Sequence, residues 1–497
     1  MNDRKLSRRL VLKKLVAMSA LGVVGAVHSG PSIYKINKRS ISGISGKIIN
    51  KGDEHYELWR QSMVWHLSKP ERYPDVIVKP RSVEEIVSAV KHAAKYSLKV
   101  AIRSGGHNST GSSLRNEGML LDLSGMSELE IDENKQIASV QPGVRSDQLV
   151  RAAREKGLGF PVPHCTSVGI SGFVMGGGIG WNYAQNGGMA TFSIVGAEVI
   201  TADGQRVMAT EEDHSDLLWA VRGAGPGFFG VVTRLFLKLY PVPRSIMASS
   251  YIFPLRELKT VTSILDEVKK NNEVNDRVEL LAVLMHHPEM PADAPPEKSK
   301  ICFVTAFAFE QSDSDGKAVL EPFSKSELPT KSLVKDEYQS FTFEGLYDKY
   351  FSLEDPAGRM ARYGADNILT NRGNEALVLM AEHLKKTTST DTHILAAWGL
   401  NLKPRNDASF SGVGDCFIGC YSIWDGENND VENLDWLKQS QPIIDQFADG
   451  HYVNEINGEG DPGRYRECYT KTKWKRLQEL RGKYDPEGVF HSFLGHS

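Results

Sequence analysis

Three glycine-rich stretches constrain how this chain can fold: RSGGHNSTG at 103–111, SVGISGFVMGGGIG at 167–180 and AVRGAGPGFFGVV at 220–232. Glycine reaches positive φ without steric cost and, lacking a Cβ, lets another backbone or a ligand come close. Such turns can cradle a diphosphate with backbone N–H groups, although any one of them alone also serves as an ordinary tight turn. They are set among alternating apolar runs and amphipathic stretches. DVIVKP reads as a strand, SVEEIVSAVKHAAKYS as a helix capped by Ser82, and LKVAIRSGG as a second strand that ends in the first glycine turn. MLLDLSGM, ASVQPGV and SIVGAEVITADG add strands, and VRSDQLVRAAREKG adds a helix. The pattern predicts an α+β domain over residues 68–245. The glycines do not fit a Rossmann fold, which needs GxGxxG opening a helix directly after a strand. MGGGIG has a different spacing, and the first βα unit near Asp75 lacks the motif.

The two prolines of PVPRS (241–245) interrupt any regular element and mark a boundary. Residues 246–440 mix helical RELKTVTSILDEVKKN with strand-like KICFVTAFAF and THILAAWGLNL, and carry no motif of fixed chemistry. That is the pattern of a variable substrate-binding domain. Residues 441–497 hold HYVNEINGEGDPGRY and a helix stopped by Asp485 and Pro486, whose basic run from Arg464 to Lys483 reads as a solvated face.

Composition narrows the partners. A formal net charge of -3 in 497 residues supplies no cationic field for nucleic acid or anionic lipid, which leaves small-molecule chemistry. No residue cluster has the spacing of a metal site. The five cysteines, Cys165, Cys302, Cys416, Cys420 and Cys468, are odd in number and widely spread, so at least one stays outside any disulfide. Pairing of Cys416 with Cys420 is left open by their spacing. The N-terminus has the pair Arg8 and Arg9 followed by an uncharged stretch from Leu15 to Val27, too short for the roughly 20 residues of a membrane span. SRRLVLK resembles a twin-arginine export signal, so residues 1–30 are read as a targeting segment and the protein as exported by that machinery, to a bacterial periplasm or beyond.

Taken together, RSGGHN, LLDLSGM, QPGV, HCTSVGISGFVMGGGIGW, DLLWAVRGAGPGFFGVVT and the closing YDPEGVF resemble the berberine bridge enzyme-like group of vanillyl-alcohol oxidase type flavoproteins. The resemblance implies a two-lobed FAD-binding domain of the PCMH type (68–245), completed by the C-terminal segment (441–497). An α+β substrate domain (246–440), an antiparallel sheet covered by helices, lies against it. It further implies FAD attached at two points, His107 at a ring methyl and Cys165 at a ring carbon, two anchors on opposite sides of one flavin; imidazole and thiolate suit an electron-poor ring. Arg103, Ser104, Gly105, Gly106 and Asn108 in the first turn, Val168, Gly169, Gly172, Gly176, Gly177 and Gly178 in the second, Gly230 and Val232 in the third, and Asn454 complete the expected cofactor site. Val168 matches the position that governs dioxygen access, which implies an oxidase that forms hydrogen peroxide from a small-molecule substrate and dioxygen.

The match weakens at YVNEIN. Tyr452 and Asn454 are kept, but Glu455 stands where the family carries an aromatic residue, and DASFSGVGDCFIGCYSIW lacks the family's His-Arg pair. Glu455, as a buried base or a solvent-facing carboxylate, Tyr421 and Tyr452 are therefore the candidate catalytic groups, and the substrate, a sugar hemiacetal, an alcohol or a secondary metabolite, is left open.

Overall fold

Strand alternation decides what each sheet buries. The computed structural model describes residues 41–183, 186, 188–271, 277–346, 361–459 and 461–495, so the expected export segment lies outside the described residues. Strands β1 (Lys47–Asn50), β2 (Val76–Lys79), β3 (Val100–Arg103) and β4 (Met119–Asp122) form a first sheet ordered β1-β2-β4-β3, with β2, β4 and β3 parallel. Val76, Val78, Met119 and Leu121 turn to one side. There helix α1 (Val83–Lys95) covers them with Ile86, Ala89, Val90 and Ala93, an i, i+3, i+4, i+7 stripe. Ile77, Leu120 and Ala101 turn to the other side and meet Met63 and Leu114. The Ser82 hydroxyl accepts from the Glu85 amide at 3.3 Å, the cap expected from sequence.

A second, antiparallel sheet follows: β5 (Leu129–Asp132), β6 (Ile137–Val140), β7 (Ile194–Ile200), β8 (Arg206–Ala209) and β9 (Val231–Lys238), ordered β5-β6-β9-β7-β8. Between β6 and β7 run helices α2 (Ser146–Arg154) and α3 (Ile170–Met175).

The third sheet has seven antiparallel strands: β10 (Ser245–Pro254), β11 (Val278–His286), β12 (Lys300–Glu310), β13 (Val334–Phe341), β14 (Arg362–Thr370), β15 (His393–Leu402) and β16 (Gly414–Trp424). Their order is β13-β10-β12-β11-β15-β16-β14. Leu280, Ala282, Val304, Ala306, Ile394, Ala396 and Ile418 share one face with the apolar sides of α4 (Leu258–Asn271), α5 (Asp313–Ser324), α6 (Gly373–Leu384) and α7 (Asp430–Asp445). The intervening residues, Leu281, Val283, Phe307, Phe309, Leu395, Ala397 and Tyr421, join one core with Ala197 and Leu235 of the second sheet. Both faces are buried except along the exposed edge strand β13, which explains why the other strands read as near-continuous apolar runs.

Helix α8 (Lys471–Tyr484) stops at Asp485, as expected, and the Asp485 carboxylate accepts from the amides of Val489 and Phe490 at 2.6 and 3.0 Å. That turn sends the tail back along β3, where the Val100 amide donates to Val489 and the His491 amide donates to Val100. The basic run leading into it is only partly solvated. Lys475 and Lys483 are exposed, whereas Arg464 is 2% exposed and paired with Asp366 and Asp445. Arg481 donates to the carbonyls of Gly227 and Phe490. Charge alone misread this stretch because two of its arginines satisfy buried carbonyls and carboxylates. Cys416 and Cys420 do not pair. Four residues apart on β16, their Cα atoms are separated by roughly 13 Å, beyond the reach of a disulfide. No helix among the described residues is long and apolar enough to cross a membrane.

Candidate active site

The first and second glycine turns touch each other. A Cβ on Gly105 would lie 2.7 Å from the amide nitrogen of Gly169, and one on Gly169 would lie 2.8 Å from Gly105, so only glycine at both positions allows the approach. The contact sets His107 Nε2 3.7 Å from Cys165 Sγ, with Ser167 Oγ 3.2 Å from the imidazole and 3.4 Å from the sulfur. The two nucleophiles thus stand side by side rather than on opposite sides of a shared space. Trp65 stacks on the His107 ring at 4.1 Å and 11°. Arg103, at the end of β3, donates to Asp122 and to the Gly105 carbonyl and so braces the first turn. Asn108 accepts from the amides of Thr110 and Ser112 and donates to the Asn454 carbonyl, tying that turn to the C-terminal loop.

Also on the cavity lining, the Tyr421 hydroxyl on β16 donates to Glu455 Oε2 at 2.6 Å. Burial pushes the Glu455 carboxyl up to about 7, against the opposing pull of the Tyr421 hydrogen bond. Glu455 retains some exposed surface, and it lines the cavity, so that surface faces the enclosed space. Glu455 is the only carboxylate among the described residues lining this cavity of about 300 Å³, which also receives His107, Cys165, Val168, Tyr363 and Asn454.

Residues 74–210 match the FAD binding domain family model. An FAD-linked oxidoreductase of Penicillium janthinellum is 27% identical over 449 residues, covering 88% of this chain and 94% of the relative. The chain is an FAD-linked oxidoreductase. An (R)-6-hydroxynicotine oxidase of Paenarthrobacter nicotinovorans is 32% identical to this oxidoreductase over 241 residues, 47% of the chain and 50% of the relative. The fold is shared with 6-hydroxy-D-nicotine oxidase from Arthrobacter nicotinovorans (TM-score 0.77, 21% identity, 91% and 98% of the two chains). It is shared also with berberine bridge enzyme from Eschscholzia californica (TM-score 0.75, 21% identity, 90% and 95%).

The cavity of the oxidoreductase fits FAD. Ser104 Oγ, Ser171 Oγ, Trp65 Nε1 and His491 Nε2 are buried without a hydrogen-bond partner in the protein, and all four residues line the cavity. Orphaned polar atoms are costly unless a polar ligand meets them. A Cβ on Gly172 would meet nothing within 4 Å, so this wall too is open toward a ligand. Gly105, Gly106, Gly169, Gly230 and Val232 line the same space.

Gly176, Gly177 and Gly178 do not line it, contrary to the sequence expectation. A Cβ on Gly176 would fall 1.9 Å from Asn454 Oδ1, one on Gly177 would strike Met189, Phe410 and Tyr452, and one on Gly178 would strike Ala190 and Phe173. Gly176 and Gly177 admit Asn454 and Tyr452 of the C-terminal loop, and Gly178 packs against Ala190 and Phe173. Tyr452 serves the same junction. Its buried hydroxyl accepts from the Gly178 amide at 3.1 Å and from Asn454 Nδ2 at 2.9 Å, and burial drives its phenol far above the ordinary range. Tyr452 lines the cavity as Tyr421 does, but its hydroxyl is taken up as an acceptor at this junction. Sequence reasoning missed Trp65 and Tyr363, whose rings lie 5.1 Å apart, and Tyr363 continues to Tyr421 at 6.1 Å. Tyr363 leads β14, where only the register beside β16 turns it toward Tyr421.

Proposed function

We propose that this oxidoreductase is an exported oxidase whose flavin is covalently attached through both His107 and Cys165. The observation that carries the reading is the 3.7 Å approach of those two nucleophiles on the lining of a cavity that Glu455 also lines. His107 and Cys165 would hold FAD, which when bound would supply the hydride acceptor for substrate oxidation and the route of electrons to dioxygen, with hydrogen peroxide as the product. Residues 68–245 and 441–497 hold the cofactor, and residues 246–440 supply the substrate wall.

Glu455 takes the proton. Its carboxylate accepts one from a substrate hydroxyl or amine, and a pKa near 7 matches a base working at neutral pH. Tyr421 keeps the carboxylate oriented by donating to Oε2. Trp65, Tyr363 and Tyr421 form a continuous aromatic wall against which an alcohol, a sugar hemiacetal or a secondary metabolite is laid. Val168, on the cavity wall, admits dioxygen. Residues 1–30 direct export through the twin-arginine machinery, and a covalent cofactor suits that destination, since lost FAD is not replaced outside the cytoplasm.

A second reading is a dehydrogenase of the same fold passing electrons to a quinone or protein acceptor; one neighbour in fold, a berberine bridge enzyme variant at TM-score 0.75, is described as a reticuline dehydrogenase. Stopped-flow mixing of anaerobically reduced enzyme with aerated buffer separates them. An oxidase reoxidises rapidly with stoichiometric peroxide. Slow reoxidation in air with rapid transfer to a quinone selects the dehydrogenase.

A further inference from the structure

Glu455 sits in a loop held at two points by consecutive residues of one strand. β14 is the edge of the seven-stranded sheet, and residues 450–457 run along it. The backbone pairing ends after Leu369 and Gly450, which exchange hydrogen bonds at 2.8 and 3.2 Å. Side chains take over from there. The Asn367 amide accepts from the Tyr452 N–H at 2.8 Å and donates to the Tyr452 carbonyl at 2.9 Å, a side chain standing in for a strand. The Asn367 carbonyl meets His451 Nδ1 at 2.8 Å.

Asp366 points to the other face of the sheet and accepts from the Asn457 amide at 3.3 Å. Its carboxylate is held by Arg464 at 3.1 Å, and Arg464 also binds Asp445 at 2.7 Å. Asp366 is 1% exposed, Asn367 0% and Arg464 2%. Burying this much polarity is weak evidence for stability, since apolar residues could fill the same space at less desolvation cost. It does fix register, and what it fixes is the span from Tyr452 to Asn457, with Glu455 between the clamps.

We infer that Asn367 and Asp366 are positioning residues that hold Glu455 against Tyr421 and inside the cavity. Resting on the assignment of Glu455 as the base, this deepens the proposed function. Without either clamp the loop gains freedom to swing the carboxylate toward solvent, and the contact with Tyr421 is lost. The groups sharing the cavity with Glu455 are Tyr421 and Tyr363 from the sheet, Tyr452 from its own loop, His107, His164, Cys165 and Arg103 from the glycine-turn side, and Arg115 and His491 beside the tail. Of these only Tyr452 is bonded to the Asn367 side chain, through its backbone N–H and carbonyl, and that bond is the clamp itself; a change in Glu455 titration therefore reports the clamp.

The test is pH-difference infrared spectroscopy of the carboxyl C=O stretch in flavin-loaded enzyme, with Glu455→Gln to assign the band. The parent is expected to show a carboxyl titrating near 7 that Glu455→Gln lacks. In Asn367→Ala and Asp366→Asn the midpoint is expected to fall by about one unit or more toward the ordinary carboxylate value, with flavin absorbance retained. Asn367→Ser, a milder change, stands in if the alanine variant does not fold. Variants that fold, hold flavin and titrate like the parent overturn the inference. A parent with no carboxyl titrating near neutrality overturns the base assignment beneath it, a result distinguishable from the first.

Discussion

Tyr421 Oη and Glu455 Oε2 lie 2.6 Å apart across a junction that joins the strand beside the edge of one sheet to a loop 34 residues later in the chain. The phenol donates, the carboxylate accepts, and both line the cavity that His107 and Cys165 line. Because the carboxyl is pushed up to about 7, Glu455 gives a signature readable without a known substrate.

That signature is a pH-dependent penalty on stability. The unfolded carboxyl titrates near 4.3, and the folded one near 7. Between those values the native state holds the extra proton, so stability falls as pH rises through this window and stays lowered above it. Glu455→Gln removes the penalty. Its melting temperature is expected to match the parent near pH 4 and to exceed it at pH 8, by an amount equivalent to at most about 4 kcal/mol. A difference that stays constant across that range contradicts a burial-driven shift. In turnover the sign reverses: the base is the carboxylate, so activity rises as pH passes through about 7, and Glu455→Gln loses about 10²- to 10⁴-fold in flavin reduction rate.

Tyr452 is expected to behave as a structural group. Tyr452→Phe strips the acceptor from the Gly178 amide and from Asn454 Nδ2, a loss of about 1–3 kcal/mol seen as a lower melting temperature. The rate of flavin reduction should change little once the variant is folded. A rate loss as large as that of Glu455→Gln would assign the proton transfer to the wrong residue.

How much of this was legible in the sequence depends on whether the signal was local. Ser82, Asp485, the α+β class and the glycine turns announce themselves within a few residues, because caps, breakers and alternation are short-range. His107, Cys165 and Glu455 were found through motif position, and the structure gathers all three around one cavity. The clamps on Glu455 were not legible. Asn367 and Tyr452 are 85 residues apart, and nothing beside either one marks the pairing. The Gly176–Gly178 run misled for a related reason: glycine that admits a loop reads the same as glycine that admits a phosphate, and only the neighbouring Asn454 and Phe410 tell them apart.

Gly105 offers a steric test of the meeting between the two turns. Gly105→Ala forces a methyl to within 2.7–2.8 Å of the Gly169 backbone, which must move. Destabilisation of about 1–3 kcal/mol is expected. Flavin content per mole of protein should drop as well, since His107 and Cys165 are carried on the separated turns. Gly172→Ala, with open space at its Cβ, is the control for fold and is expected to keep the parent's melting temperature. Equal melting temperatures for both variants would show that the turns tolerate separation.

The double attachment of the flavin is tested most directly by acid precipitation of the purified enzyme, followed by absorbance of pellet and supernatant, for the parent, His107→Ala, Cys165→Ala and the double variant. Two independent attachments predict yellow pellets for the parent and for each single variant, and release of flavin to the supernatant only in the double variant. A parent pellet left colourless, with all its flavin in the supernatant, contradicts the account.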